Sequence, residues 1–276
     1  MNKNILLPTD FSDNAWSAIA YALKLYENET CTFYFLNSFK SEISRMSNLS
    51  NKLARVMKES AKKEMVELKR KARIVDANEK HSFETILSSE SLLEAIHTVT
   101  TTHEIDLVVM GTKGASKTKE IFFGSNTVSV LNKIKSCPTL VVPDAYSFVT
   151  PSQIAFPTDY NKQYTDKVLS PIKALSKLYN SKIRILHIEE EKELSETQNT
   201  NINKLKKDLA AFDYSFHWMS GYDQKTSVII DFIKELEINI LVLVNNKHSF
   251  IENIINEPVI KKIGFQPIIP FLVIPE

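Results

Sequence analysis

Glycine is scarce in this chain: 276 residues contain five, where an average usage of about 7% would give roughly 19. Cysteine is scarcer, with two. Cys31 and Cys137 each precede an apolar run, and neither has a partner at metal-ligand spacing, which argues against a disulfide scaffold or a zinc site and suits a reducing compartment. Long apolar runs are missing too. Nothing approaches the ~18 to 20 residues of a membrane span, and the opening MNKNILLPTDFSD has no signal-peptide pattern, so the expected location is the cytoplasm. Net charge is nearly absent at +1, leaving no long-range field to draw nucleic acid or an anionic membrane, and neither is expected as a partner. The most basic stretch, Lys52 to Arg73, interleaves Lys, Arg and Glu with Leu53, Val56, Met57, Ala61, Met65 and Leu68, the pattern of an amphipathic helix with a solvated outer face.

What is present is repetition. Ile5-Leu6-Leu7-Pro8-Thr9-Asp10-Phe11 recurs as Ile154-Ala155-Phe156-Pro157-Thr158-Asp159-Tyr160, and Pro138-Thr139-Leu140-Val141-Val142-Pro143 is echoed by Pro270-Phe271-Leu272-Val273-Ile274-Pro275. Two similar domains follow, 1–146 and 152–276, joined where DAYSFVTPS breaks the periodicity. Short apolar runs alternate with helical patterns in each half. A capping box, Ser91 with Glu94, opens one of the helices. The expected fold is α/β: two tandem doubly wound, Rossmann-like domains, each a mostly parallel five-stranded sheet with helices on both faces. In such sheets ligands bind beyond the carboxyl ends of the strands, the edge on which Asp10 and Gly111 fall.

Three of the five glycines, Gly111, Gly114 and Gly124, share the fourteen residues GTKGASKTKEIFFG, between IDLVVM and SNTVSVLNKIK. Glycine lets a ligand or another backbone approach closely, and a helix start offers free N–H groups to an anion. Neither a P-loop nor a dinucleotide fingerprint is present. The string G-x-x-G-x(9)-G-S, with P-T-D after the first strand, resembles the universal stress protein family in its tandem form, and the resemblance covers both copies.

The resemblance implies an adenine nucleotide, ATP or else ADP or AMP, with Mg²⁺ accompanying the phosphates. It implies that Pro8, Thr9 and Asp10 border the adenine and ribose, with Ser38 beside the base. Met110 and Gly111 would lie along base and ribose, Gly114 would let the loop approach the phosphates, and Gly124, Ser125, Asn126 and Thr127 would hold them. That last role also has its own warrant, since helix N-terminal N–H groups and hydroxyls are donors to phosphate oxygens. Two domains that associate through their last strands, an intrachain pseudo-dimer with homodimerisation of whole chains left open, are likewise implied. No catalytic residue and no metal ligand is assigned among the protein side chains. Slow ATP hydrolysis or nucleotidyl transfer, and a scaffold without nucleotide, stand as rival functions.

The second copy departs from the motif. Aligning Asp106 to Met110 with Asn239 to Leu243 sets Val244 opposite Gly111, Lys247 opposite Gly114, Glu257 opposite Gly124 and Pro258 opposite Ser125. Side chains, a carboxylate and a proline in these places are expected to close the site. The repeat offset falls from 149 at P-T-D to 133 at the fourth strand, leaving this copy 16 residues shorter between them, with a shorter second helix as the expected cause.

Overall fold

The computed structural model describes residues 2–39, 51–112, 123–189, 193–220, 225–245 and 268–276; within these, the side chains of 51–54, 189, 220, 225 and 226 are excluded. The chain clusters into two compact units, Met1–Phe148 and Val149–Glu276.

In the first unit the strands are β1 (Lys3–Pro8), β2 (Cys31–Ser38), β3 (His81–Ser88), β4 (Leu107–Gly111) and β5 (Thr139–Val142). Between them run α1 (Asp13–Leu25), α2 (Asn51–Val75), α3 (Leu92–Thr102) and α4 (Ser125–Lys133). Their ladders are parallel, with Ile5 beside Phe33 and Leu107, and Met110 beside Val141. Parallel strands covered on both faces read as continuous apolar runs. Ile5, Leu6, Leu7 and Val108 are accordingly fully buried.

The second unit repeats this with β6 (Gln153–Pro157), α5 (Asp166–Tyr179), β7 (Lys182–Glu189), α6 (Glu196–Asp208), β8 (Tyr214–Ser220), α7 (Lys225–Glu235), β9 (Ile240–Asn245) and β10 (Phe271–Pro275). Its second described helix has 13 residues against 25 for α2, which accounts for twelve of the sixteen residues by which this copy is shorter.

The expectation of two separate five-stranded sheets is corrected. All ten strands belong to one continuous sheet, in the order β3-β2-β1-β4-β5-β10-β9-β6-β7-β8. Hydrophobic pattern specifies strands and parallel crossovers locally, but it does not say where a sheet ends.

Local signals explain the helix starts. Ser12 caps α1 by accepting from Ala15 N. Ser91 and Glu94 form the reciprocal capping box anticipated for α3, and Ser195 with Gln198 forms another at α6.

Candidate functional site

The sequence motifs converge on the carboxyl edge of the first unit's sheet. There β1 ends at Pro8, which is buried, and the chain turns through Thr9, Asp10 and Phe11 into α1. Thr9 is 7% exposed and fully engaged: its N–H donates to Leu36 O at 2.8 Å, its hydroxyl oxygen accepts from Phe11 N at 3.0 Å, and its carbonyl accepts from Asn37 Nδ2 at 2.9 Å. Phe11 turns with φ of 62°, a left-handed conformation uncommon for a non-glycine residue. Asp10 is exposed; its Oδ1 accepts from Ser12 Oγ at 2.6 Å and Ser12 N at 3.2 Å. The N-cap of α1 is therefore Ser12, which Asp10 braces.

Ser38 ends β2 half-buried, and its hydroxyl donates to Glu90 O at 2.6 Å. Met110, 7% exposed, belongs to the core beside Val141.

Gly111 closes β4, and its lack of a side chain has a local cause. A Cβ there would stand 2.0 Å from Asn14 Oδ1, 2.7 Å from Asn14 Cγ and 3.0 Å from Asn14 O. The glycine makes room for α1's own buried Asn14, whose Nδ2 donates to Asp144 Oδ1 at 3.1 Å. Thr127 is 2% exposed, and its hydroxyl donates to Gly111 O at 3.0 Å. Gly124 N donates to Thr112 O at 2.7 Å, so the start of α4 is pinned to the end of β4 at two points. The segment between, with Gly114, Lys113, Lys117, Lys119 and Glu120, lies outside the described residues.

The start of α4 differs from the Ser-capped helices. Gly124 occupies the N-cap with φ −67° and ψ 148°, a conformation open to any residue, and, lacking a side chain, supplies no side-chain cap. The first intrahelical bond is Val128 N to Gly124 O at 3.1 Å, so the N–H groups of Ser125, Asn126 and Thr127 precede the ladder. Ser125 and Asn126 are exposed. This end offers N–H donors, a hydroxyl and an amide together with the positive end of the helix dipole, which fits an anion such as a phosphate. Of the sequence-derived set, Ser125 and Asn126 present donors outward, Gly111 and Thr127 tie β4 to α1 and α4, and Thr9 and Ser38 use their hydroxyls internally. Asn14, Asn37 and Asp144 were not anticipated. Asn14 had a signal, being a polar residue in line with Ala18, Tyr21 and Ala22 on the apolar face of α1.

The same turn stands in the second unit. Thr158 accepts from Tyr160 N at 3.1 Å, Tyr160 has φ of 57°, and His187 Nδ1, at 3.0 Å, donates to Thr158 O as Asn37 does to Thr9 O. Strand register makes Val244 the counterpart of Gly111, since Gly111 pairs with Val142 and Val244 with Ile274 at matching points of the repeat. Lys247, Glu257 and Pro258 lie outside the described residues. No group of three or more His, Cys, Asp or Glu among the described residues could hold a metal ion. None of the described helices is long and apolar enough to cross a membrane.

Residues 1–143 match the universal stress protein family. Among solved structures, this chain is similar to a universal stress protein from Archaeoglobus fulgidus, with 17% identity, a TM-score of 0.72 and coverage of 99% of this chain and 96% of that one. It is also similar to a functionally unknown protein from Pseudomonas aeruginosa, with 12% identity, a TM-score of 0.60 and coverage of 99% and 92%. The cytoplasmic domain of a prokaryotic cation chloride cotransporter aligns at 7% identity and a TM-score of 0.50, over 99% and 95%. At these identities the likeness concerns the fold, which hosts more than one role. No curated protein matches the chain.

Proposed function

The chain belongs to the universal stress protein family, matched over residues 1–143, and on that premise we propose that its first unit binds one adenine nucleotide, ATP foremost, at the carboxyl edge of the sheet. One observation carries the reading: α4 begins on Gly124, which supplies no side-chain cap, and turns the outward-facing Ser125 and Asn126 toward solvent at its positive end. Phosphate oxygens take the place that serine oxygens fill at α1, α3 and α6. Asp10, exposed beside the turn, supplies an acceptor for a ribose hydroxyl. Mg²⁺ travels with the phosphates, no metal-holding group being present among the described residues. The role is binding and not turnover: Asp10, the carboxylate of the described motif, stands in the turn beside Ser12 and not at the helix start assigned to the phosphates, where hydrolysis would need a group to position a water.

Gentle denaturation of the purified chain followed by mass analysis identifies any carried nucleotide, and calorimetric titration with ATP counts the sites. One site per chain is expected, abolished by Gly124→Glu with the circular dichroism spectrum unchanged. Two equivalent sites, or undiminished binding by Gly124→Glu, would overturn the proposal. Phosphate release well above that of Gly124→Glu would establish hydrolysis instead.

A further inference from the structure

Among the described residues, helix α2 concentrates two kinds of surface, basic charge and exposed aliphatic side chains. Between Arg55 and Val75 it carries eight Lys or Arg against three Glu, a surplus of five positive charges in a chain whose total is +1. The described residues outside α2 supply few exposed large apolar side chains. Of seven in all, four stand on this helix: Val56 at 55%, Val66 at 65%, Ile74 at 67% and Val75 at 58%. Sequence periodicity assigned Val56 to the inward stripe, but Ala61, Met65, Leu68 and Ala72 are the residues α2 buries.

At 100° per residue the face away from that stripe carries Arg55, Lys62, Lys63, Arg70 and Arg73 with Val56, Val66 and Ile74, and also Glu59 and Glu67, which leaves a surplus of three positive charges there. Basic and β-branched aliphatic residues thus interleave along about 28 Å of helix. Some of the charge is paired: Lys62 with Glu59 at 2.9 Å, Arg70 with Glu67 at 2.9 Å and Lys69 with Glu84 at 3.9 Å. The Lys71 ammonium lies 3.7 Å from the centroid of the Trp16 ring. Arg55, Lys58, Lys63 and Arg73 form no ion pair among the described residues. Exposed pairs of this kind are screened and weak, so they do not cancel the surplus.

Against the expectation drawn from the near-zero net charge of the whole chain, we propose that the local charge on the outer face of α2 docks the chain on an anionic lipid surface. The chemistry selects that partner over other polyanions. Cationic heads reach lipid phosphates and carboxylates while Val56, Val66 and Ile74 press into the boundary between headgroups and acyl chains. Nucleic acid would use the same cations but gains nothing from exposed valines, which neither stack on bases nor donate hydrogen bonds. Protein hot spots are built from Trp, Tyr and Arg in desolvated pockets, and α2 has no aromatic residue. The attachment is peripheral, and it does not depend on nucleotide.

Co-sedimentation of the full chain with vesicles tests this. Binding is expected to vesicles of phosphatidylcholine containing about 30% phosphatidylserine and not to phosphatidylcholine alone, and to fall roughly tenfold or more between about 0.05 and about 0.5 M salt. Arg55→Gln with Lys62→Gln and Lys63→Gln should abolish it, and Val66→Ser with Ile74→Ser should weaken it severalfold without changing the salt slope. These side chains are exposed, so the circular dichroism spectrum and melting curve stay those of the parent. Equal pelleting with both vesicle types, or retention of duplex DNA by a chain that ignores anionic vesicles, would overturn the proposal, as would insensitivity to the charge variant.

Discussion

Replacing Gly111 by alanine tests the packing explanation of the motif directly. The new Cβ would lie 2.0 Å from Asn14 Oδ1 and 2.7 Å from Cγ, where non-bonded heavy atoms rest at about 3.5 to 4.0 Å. The Asn14 amide must swing away, breaking its 3.1 Å bond to Asp144, and a hydrogen bond to a charged group contributes about 1.5 to 3 kcal/mol. Rotation alone is not enough, because the Asn14 carbonyl, part of the helix, stays 3.0 Å from the added carbon. Overpacking of this sort costs about 1 to 3 kcal/mol. The two contributions overlap, and a loss of about 2 to 4 kcal/mol is expected.

Urea unfolding followed by Trp16 fluorescence in a Trp218→Phe background reads the first unit, since Trp16 sits on α1 two residues from Asn14 and the chain has only two tryptophans. The midpoint should fall with the slope unchanged. On an Asn14→Ala background, which removes Oδ1 and Cγ, the cost of the alanine should drop by half or more, a coupling expected of residues in contact. A loss below about 0.5 kcal/mol would refute the packing account, since surface substitutions without a packing role stay within that range.

Other consequences are open to measurement. Ser12→Ala removes the α1 cap and the group that holds Asp10, and should cost about 1 kcal/mol of first-unit stability, seen as a lower melting midpoint. Burial pushes the Cys31 thiol up to about 12 and the Cys137 thiol up to about 11, from 9.0. Both should react with a chromogenic disulfide near neutral pH far more slowly than in the urea-unfolded chain. Because the folded state holds these protons more tightly, stability is intact below pH 9.0 and should decline as pH rises from there through 11 to 12. His217 shifts the opposite way, lowered by burial first and then by Arg184 and Lys182. The unfolded chain takes up that proton first, so second-unit stability should erode as pH falls below 6.5, and His217→Gln should flatten the dependence read by Trp218 fluorescence.

Much of the fold was legible because parallel α/β architecture writes itself in local patterns. Continuous apolar runs marked β1, β4 and β5, and Ser91 with Glu94 marked the start of α3. Sheet continuity was not legible in the hydrophobic pattern, since β5 and β10 satisfy the same pattern as interior strands or as edges; only the family resemblance, which implies association through the last strands, pointed to it. At the site, the sequence assigned these residues roles toward a nucleotide, whereas the bonds the structure shows are intramolecular and set by partners far apart in sequence. Gly111 answers to Asn14, Thr127 to Gly111 and Ser38 to Glu90. Val56 shows the limit of periodicity: a residue about 150° from the buried stripe of a long helix is apolar in sequence and exposed in space.

The two units together separate what the P-T-D turn does from what the glycine motif does. Thr9 and Thr158 make the same bond to the residue two places on, both turns pass through a left-handed aromatic, and both threonine carbonyls are held from the second strand of their unit, by Asn37 and by His187. The turn persists in a unit that has Val244 in place of Gly111, so it is a device for joining strand to helix and does not by itself specify a nucleotide. On the proposed function, selectivity between the units rests on the helix start, where the second copy's sequence offers Glu257 and Pro258 in place of Gly124 and Ser125. Restoring one glycine is insufficient on this argument, because Gly111 serves packing and not donation. Val244→Gly should leave ATP stoichiometry at one per chain while destabilising the second unit by about 1 kcal/mol or more, as glycine and lost side-chain burial in a strand both act in that direction. A second site appearing in that variant would show that the strand-end glycine, and not the helix N-terminus, makes the difference.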